Sequence, residues 1–61
     1  MKILIIEDEP SLREVMQRAL EQERYIVETA ATYAEADARI AAYSYDCILL
    51  DIMLPDGSGL R

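Results

Sequence analysis

The stretch Lys2-Ile3-Leu4-Ile5-Ile6-Glu7-Asp8-Glu9-Pro10 decides the fold. Ile3 to Ile6 are apolar without alternation. A strand with that pattern is covered on both faces, as in a parallel sheet. Glu7 to Pro10 then breaks it. Asp46-Cys47-Ile48-Leu49-Leu50-Asp51 repeats the pattern: an unalternated apolar run bounded by carboxylates. Between the two lie a helix, a strand and a second helix. The first helix begins at Pro10, as its first helical residue, or at Ser11, through a Ser11/Glu14 capping box, and runs to about Glu23. Leu12, Val15, Met16, Ala19 and Leu20 follow the spacing of one buried face, and Arg13, Glu14, Gln17, Arg18 and Glu21 cover the other. Tyr25 to Ala30 is the second strand, and Glu28 within it marks an edge strand with one partly wet face. Thr32 and Glu35 form a second capping box opening a helix from about Tyr33 to Tyr43, with Tyr33, Ala36 and Ile40 inward.

Strands joined by helices make parallel βαβ units with right-handed crossovers. The run Lys2–Ile6 and the Asp46–Asp51 strand are apolar on both faces, whereas the Tyr25–Ala30 strand is an edge. The expected architecture is α/β with strand order 2-1-3, the first strand central and the helices on opposite faces. Reversal of direction leaves a crevice at the carboxyl ends of strands one and three, where open α/β sheets bind ligands.

Composition narrows the chemistry. The 61 residues contain 12 acidic and 6 basic side chains, a net charge of −6, with one cysteine and no histidine. Histidine catalysis, most zinc chemistry and an internal disulfide are excluded. An acidic chain repels phosphate backbones and anionic lipid, which disfavours direct nucleic-acid or membrane contact. The run Ile3–Ile6 is too short for a signal peptide or a membrane span, and with an unpaired thiol this points to the cytoplasm. Cys47 reads as a small buried hydrophobe, and Tyr43 and Tyr45 as cover for apolar surface.

The crevice collects carboxylates. Strand one ends in Glu7-Asp8 and strand three in Asp51, and neighbouring strands lie about 4.8 Å apart. Two carboxylates about 4 Å apart repel by roughly 4 kcal/mol at an effective dielectric of about 20. A bound cation removes that cost, and a small all-oxygen set with room for water suits Mg²⁺. The turn from Glu7 to Pro10 has no glycine, which argues against dinucleotide or P-loop binding.

At these residues the sequence resembles the receiver domain of two-component response regulators. The resemblance rests on Ile5-Ile6-Glu7-Asp8-Glu9-Pro10, on Asp46 to Asp51, and on the loop Ile52-Met53-Leu54-Pro55-Asp56-Gly57-Ser58-Gly59. It implies that Asp51 accepts a phosphoryl group from a sensor histidine kinase, that Asp8 is a direct Mg²⁺ ligand, and that Glu7 fills the other acidic position. It also implies that the backbone carbonyl of Met53 completes the protein ligands. Glu at position 7 is similar to the branch with winged-helix DNA-binding output domains, so transcription control through a domain outside these residues is expected. The implied fold is the N-terminal (βα)2β half of a flavodoxin-like doubly wound sheet. Ser58 would cap a third helix, so residues 1–61 are expected to be a partial receiver domain.

The family's strand-four Ser/Thr, strand-five Lys and switch aromatic would then lie beyond Arg61. Such a piece is expected to be a signalling domain rather than an enzyme, and a poor switch by itself. The alternative is an inactive half-domain that self-associates through the exposed edge of its third strand.

Overall fold

The computed structural model describes residues 1–50. Asp51, Met53, the loop through Gly59 and the expected helix start at Ser58 lie outside the described residues. Within them the order is β1 (Lys2–Ile6), α1 (Pro10–Gln22), β2 (Ile26–Ala30), α2 (Tyr33–Ala42) and β3 (Cys47–Leu50). The strands form one parallel sheet in the order β2-β1-β3, as the two unalternated runs predict. Lys2 to Ile6 face Ile26 to Ala30 on one side, and Ile3 to Ile6 face Cys47 to Leu50 on the other.

The core follows from the pleat. Ile3, Leu4 and Ile5 are all buried, and successive side chains point to opposite faces. Leu4 packs with Ala30 of β2 and Ala36 of α2, flanked by Ile6 and Tyr45. Ile3 and Ile5 point the other way, where α1 packs on β1 and β2. Each such side chain contributes about 1.5–3 kcal/mol by leaving water.

Several helical positions differ from the periodicity reading. In α1 the half-buried apolar residues are Leu12, Met16 and Leu20, spaced every four residues, whereas Val15 is 62% exposed and Ala19 is exposed. Arg13 and Gln17, expected on the wet face, are half-buried. The helix touches the sheet along one narrow ridge, so residues at the margin of its apolar stripe remain outside. In α2 only Ala36 is buried, and Tyr33 and Ile40 face solvent at 64% and 44% exposure. Alanine at 36 allows close approach to the sheet, and the larger residues flank that contact.

β3 is apolar on both faces, as expected, but only partly covered. Its two faces are not equally covered: Cys47 and Leu49 are half-buried, while Ile48 and Leu50 are 45% and 46% exposed. Register places Ile48 beside Leu4 and Leu50 beside Ile6, on the face where α2 leans over β1 and β2 and not over β3.

α1 ends one residue early, at Gln22, because Arg24 turns left-handed at φ 67°. The Arg24 N–H donates to the Glu21 carbonyl at 2.9 Å and the Tyr25 N–H to the Leu20 carbonyl at 3.4 Å. This is a Schellman ending with arginine where glycine is favoured. It occupies Tyr25, so β2 starts at Ile26. The Thr32 cap forms as expected: the Glu35 N–H donates to Thr32 Oγ1 at 3.1 Å, and Glu35 Oε1 accepts from the Ala31 N–H at 2.7 Å.

Candidate functional site

The Glu7–Pro10 turn leaves the carboxyl end of β1, between the sheet and the first turn of α1. The Glu7 N–H donates to the Ala30 carbonyl at 3.0 Å, carrying the β1–β2 ladder one residue past the strand. That bond holds the Glu7 side chain inside the protein, 1% exposed. Glu7 Oε2 accepts from the Glu9 N–H at 2.9 Å. Glu7 Oε1 is buried and has no hydrogen-bond partner among the described residues.

Glu9 has a different task. Its backbone is extended, at φ −86°, and its carboxylate caps α1, accepting from the Ser11 N–H at 3.2 Å and the Leu12 N–H at 2.7 Å. Pro10 occupies the first helical position, where its missing N–H costs nothing. Of the two competing start signals, Pro10 therefore prevails, and Glu14 pairs with Arg18 at 2.7 Å instead of closing a box on Ser11. A carboxylate at a helix N-terminus is favourable by about 0.3–1 kcal/mol.

Asp8 lies between these two residues. It is exposed, and its side chain makes no hydrogen bond among the described residues. Of the three consecutive acids, Glu7 is thus buried, Glu9 is held at the helix end, and Asp8 between them faces solvent. Arg13, one turn into α1, reaches back so that its Nη1 donates to the Glu7 carbonyl at 2.9 Å.

Of the four expected metal ligands, the structure describes Glu7 and Asp8, and brings them to one strand end. Leu50 pairs with Ile6, and in the sequence Asp51 follows Leu50 as Glu7 follows Ile6. Among the described residues no group of three or more ligating side chains converges. The donors present nevertheless suit a small hard cation. They are all oxygen, and among the described residues Glu7 Oε1 is orphaned and Asp8 uncommitted.

A second charged cluster lies toward the amino end of the sheet, and the sequence reading did not find it. Glu28 of β2 meets Lys2 Nζ at 3.5 Å and Arg39 Nη1 at 3.7 Å. The Tyr45 hydroxyl donates to Glu28 Oε1. Lys2 Nζ sits over the Tyr43 and Tyr45 rings, 4.8 and 5.2 Å from their centroids. Lys2 also ties β3 to β1: its N–H donates to Asp46 Oδ2 at 2.7 Å, and the Asp46 N–H donates to its carbonyl at 2.8 Å. The Tyr45 hydrogen bond, aided by Lys2 and Arg39, holds the Glu28 carboxyl below its ordinary 4.5 against the opposing effect of burial. Burial, then the bond to Glu28, raises the Tyr45 phenol above 10.0. The signal in the sequence was a lone glutamate in an apolar strand, with Arg39 one turn after Ala36 on α2.

No helix among the described residues is long and apolar enough to cross a membrane. Compared with known proteins, residues 3–61 match the response regulator receiver domain family. The chain is 45% identical over 60 residues to the transcriptional regulatory protein PmrA of Pectobacterium parmentieri, covering 98% of this chain and 27% of that protein. It is 39% identical over 60 residues to the transcriptional regulatory protein ResD of Bacillus subtilis, covering 98% of this chain and 25% of that protein. It therefore spans about a quarter of the length of these relatives.

Two solved structures share the fold. The response regulator protein TrrA of Thermotoga maritima, in complex with Mg²⁺–BeF, superimposes with a TM-score of 0.81 at 37% identity, covering 88% of this chain and 47% of that one. The non-phosphorylated HemR receiver domain of Leptospira biflexa gives 0.78 at 41% identity, covering 97% and 48%. The α/β reading of a doubly wound sheet, with order 2-1-3, agrees with both neighbours.

Proposed function

This chain belongs to the response regulator receiver family, and from that premise we propose that it accepts a phosphoryl group from a sensor histidine kinase on Asp51. The observation that carries the reading is the acidic turn: among the described residues Glu7 Oε1 is buried without a partner, beside an uncommitted Asp8. Glu7, Asp8, Asp51 and the backbone carbonyl of Met53 would hold Mg²⁺. When bound, the ion offsets negative charge on the phosphoryl oxygens. A carboxylate oxygen of Asp51 forms the new bond to phosphorus as the phosphorus–nitrogen bond of phosphohistidine breaks, and the departing imidazole takes a proton from water. Glu7 and Asp8 supply fixed negative charge to the metal side of the site. Glu9 is not among the ligands, because its carboxylate caps the helix.

The protein is on this reading a cytoplasmic signalling domain rather than an enzyme with an external substrate. It controls transcription through a DNA-binding domain outside these residues, as the names of its relatives suggest. Its own net charge of −6 keeps this segment off DNA. Intact mass before and after incubation with acetyl phosphate and Mg²⁺ tests the proposal in the full-length protein. One phosphoryl group should be gained, and lost in Asp51→Asn. No gain in the full-length wild type overturns it.

A second reading has its own observation. Ile48 and Leu50 are exposed on β3, which favours self-association of residues 1–61 through that strand. A monomeric mass by light scattering at high concentration counts against it.

A further inference from the structure

Arg13 carries the strongest observation that the proposed function leaves unused. It is half-buried one turn above three consecutive acids, and within 4.0 Å it pairs with no carboxylate among the described residues. Its Nη1 donates instead to the main-chain carbonyl of Glu7, at 2.9 Å. That carbonyl belongs to the peptide joining Glu7 to Asp8, so the bond fixes the plane from which the Asp8 side chain departs. The same turn is held on both sides. The Glu7 N–H is bound to Ala30, the Glu9 N–H to Glu7 Oε2, and the Arg13 N–H to the Glu9 carbonyl at 2.9 Å. Asp8 thus projects from a turn whose neighbouring backbone groups are hydrogen-bonded, although its own carboxylate makes no hydrogen bond or ion pair among the described residues.

We infer that Arg13 is a positioning residue for cation binding: through the Glu7 carbonyl it aims Asp8 and keeps the turn in its binding shape before the ion arrives. The inference rests on the metal reading of the acidic turn. Two effects oppose one another. The guanidinium charge repels an incoming cation, and the hydrogen bond removes freedom that binding would otherwise have to freeze. The bond is of ordinary length and half-buried, whereas the charge is offset by three acids in the same turn, so positioning dominates. Groups that orient metal ligands typically change affinity by about 10–100-fold when removed.

Calorimetric Mg²⁺ titration of the full-length protein tests this, with wild type, Arg13→Met, Arg13→Gln, Arg13→Lys and the same-helix control Arg18→Met. Arg13→Met should weaken binding by about tenfold. Arg13→Gln should do the same if the methionine variant fails to fold. Arg13→Lys, which can still donate to the carbonyl, should recover part of the loss, and Arg18→Met should bind as wild type does. A merely structural tether would lower the melting temperature without separating lysine from methionine in affinity. Wild-type affinity, or tighter binding, in Arg13→Met and Arg13→Gln overturns the inference alone. No Mg²⁺ binding by the wild type overturns the metal reading and the inference with it.

Discussion

Glu7 and Glu28 are both carboxyl groups on this small sheet, and they are treated in opposite ways. Glu28, half-buried on β2, is surrounded by Lys2, Arg39 and the Tyr45 hydroxyl. Glu7, more deeply buried at the end of β1, has no cation within salt-bridge distance among the described residues and keeps one oxygen without a partner. The nearest arginine bypasses its carboxylate for its carbonyl. A buried carboxylate oxygen without a partner is costly, and the fold saturates Glu28 while it leaves one oxygen of Glu7 open among the described residues. The Glu28 cluster fastens β1, β2, β3 and α2 together. On the proposed function, the Glu7–Asp8 turn holds its oxygens in place for a cation.

The sharpest way to break this comparison is to exchange the defects. Glu7→Gln should weaken Mg²⁺ binding by about 10–100-fold and change stability little, because Gln retains an acceptor for the Glu9 N–H. Glu28→Gln should do the reverse, lowering the melting temperature and leaving Mg²⁺ affinity unchanged. If Glu7→Gln binds the ion normally, the two carboxyls have no division of labour.

The next effect lies in pH. The folded Glu28 carboxyl is held below 4.5, so its contribution to stability is complete above the unfolded value and lost as pH falls through the lowered folded value. The Tyr45 phenol is raised above 10.0, so its contribution is complete below the unfolded value and lost as pH rises through the raised one. Melting temperature should therefore fall below about pH 4.5 and again above about pH 10. Tyr45→Phe should lessen both limbs, since it frees Glu28 and removes the phenol, and an unchanged profile would remove the network from the stability account.

Arg24→Gly should stabilise the whole chain by about 1 kcal/mol in chemical denaturation, because glycine takes the left-handed ending of α1 without side-chain strain. It should do so without changing Mg²⁺ affinity, which calibrates the other variants. The smallest effect should be Tyr43→Leu, which removes one of the two rings under Lys2 and should cost about 0.5 kcal/mol.

Much of this was legible in the residues. The runs at Ile3–Ile6 and Cys47–Leu50, with Glu28 marking β2 as an edge, were enough for the order β2-β1-β3. The acidic turn was legible as a cluster, but the separate tasks of its members were not. Glu9 as a helix cap depends on backbone dihedrals at Glu9 and Pro10, which a run of three acids does not reveal. Periodicity placed Val15, Tyr33 and Ile40 on inward faces and Arg13 outside. Spacing gives the direction of a side chain around its helix, but how wide a stripe the sheet covers depends on how closely the backbones approach, which Ala36 sets for α2. Arg13 was beyond periodicity for another reason: a long side chain can leave its own face and return to the strand end.

The most direct test of the central claim is the Mg²⁺ dependence of the melting temperature in full-length wild type, Asp8→Asn and Glu28→Gln. At about a hundredfold excess over the dissociation constant, an ion that binds only the folded state adds about 2.7 kcal/mol. The melting temperature of wild type and of Glu28→Gln should rise by the same increment, each from its own baseline, and that of Asp8→Asn should not respond. An Asp8→Asn protein that Mg²⁺ stabilises as much as the wild type would contradict the claim that this turn is kept open for a cation.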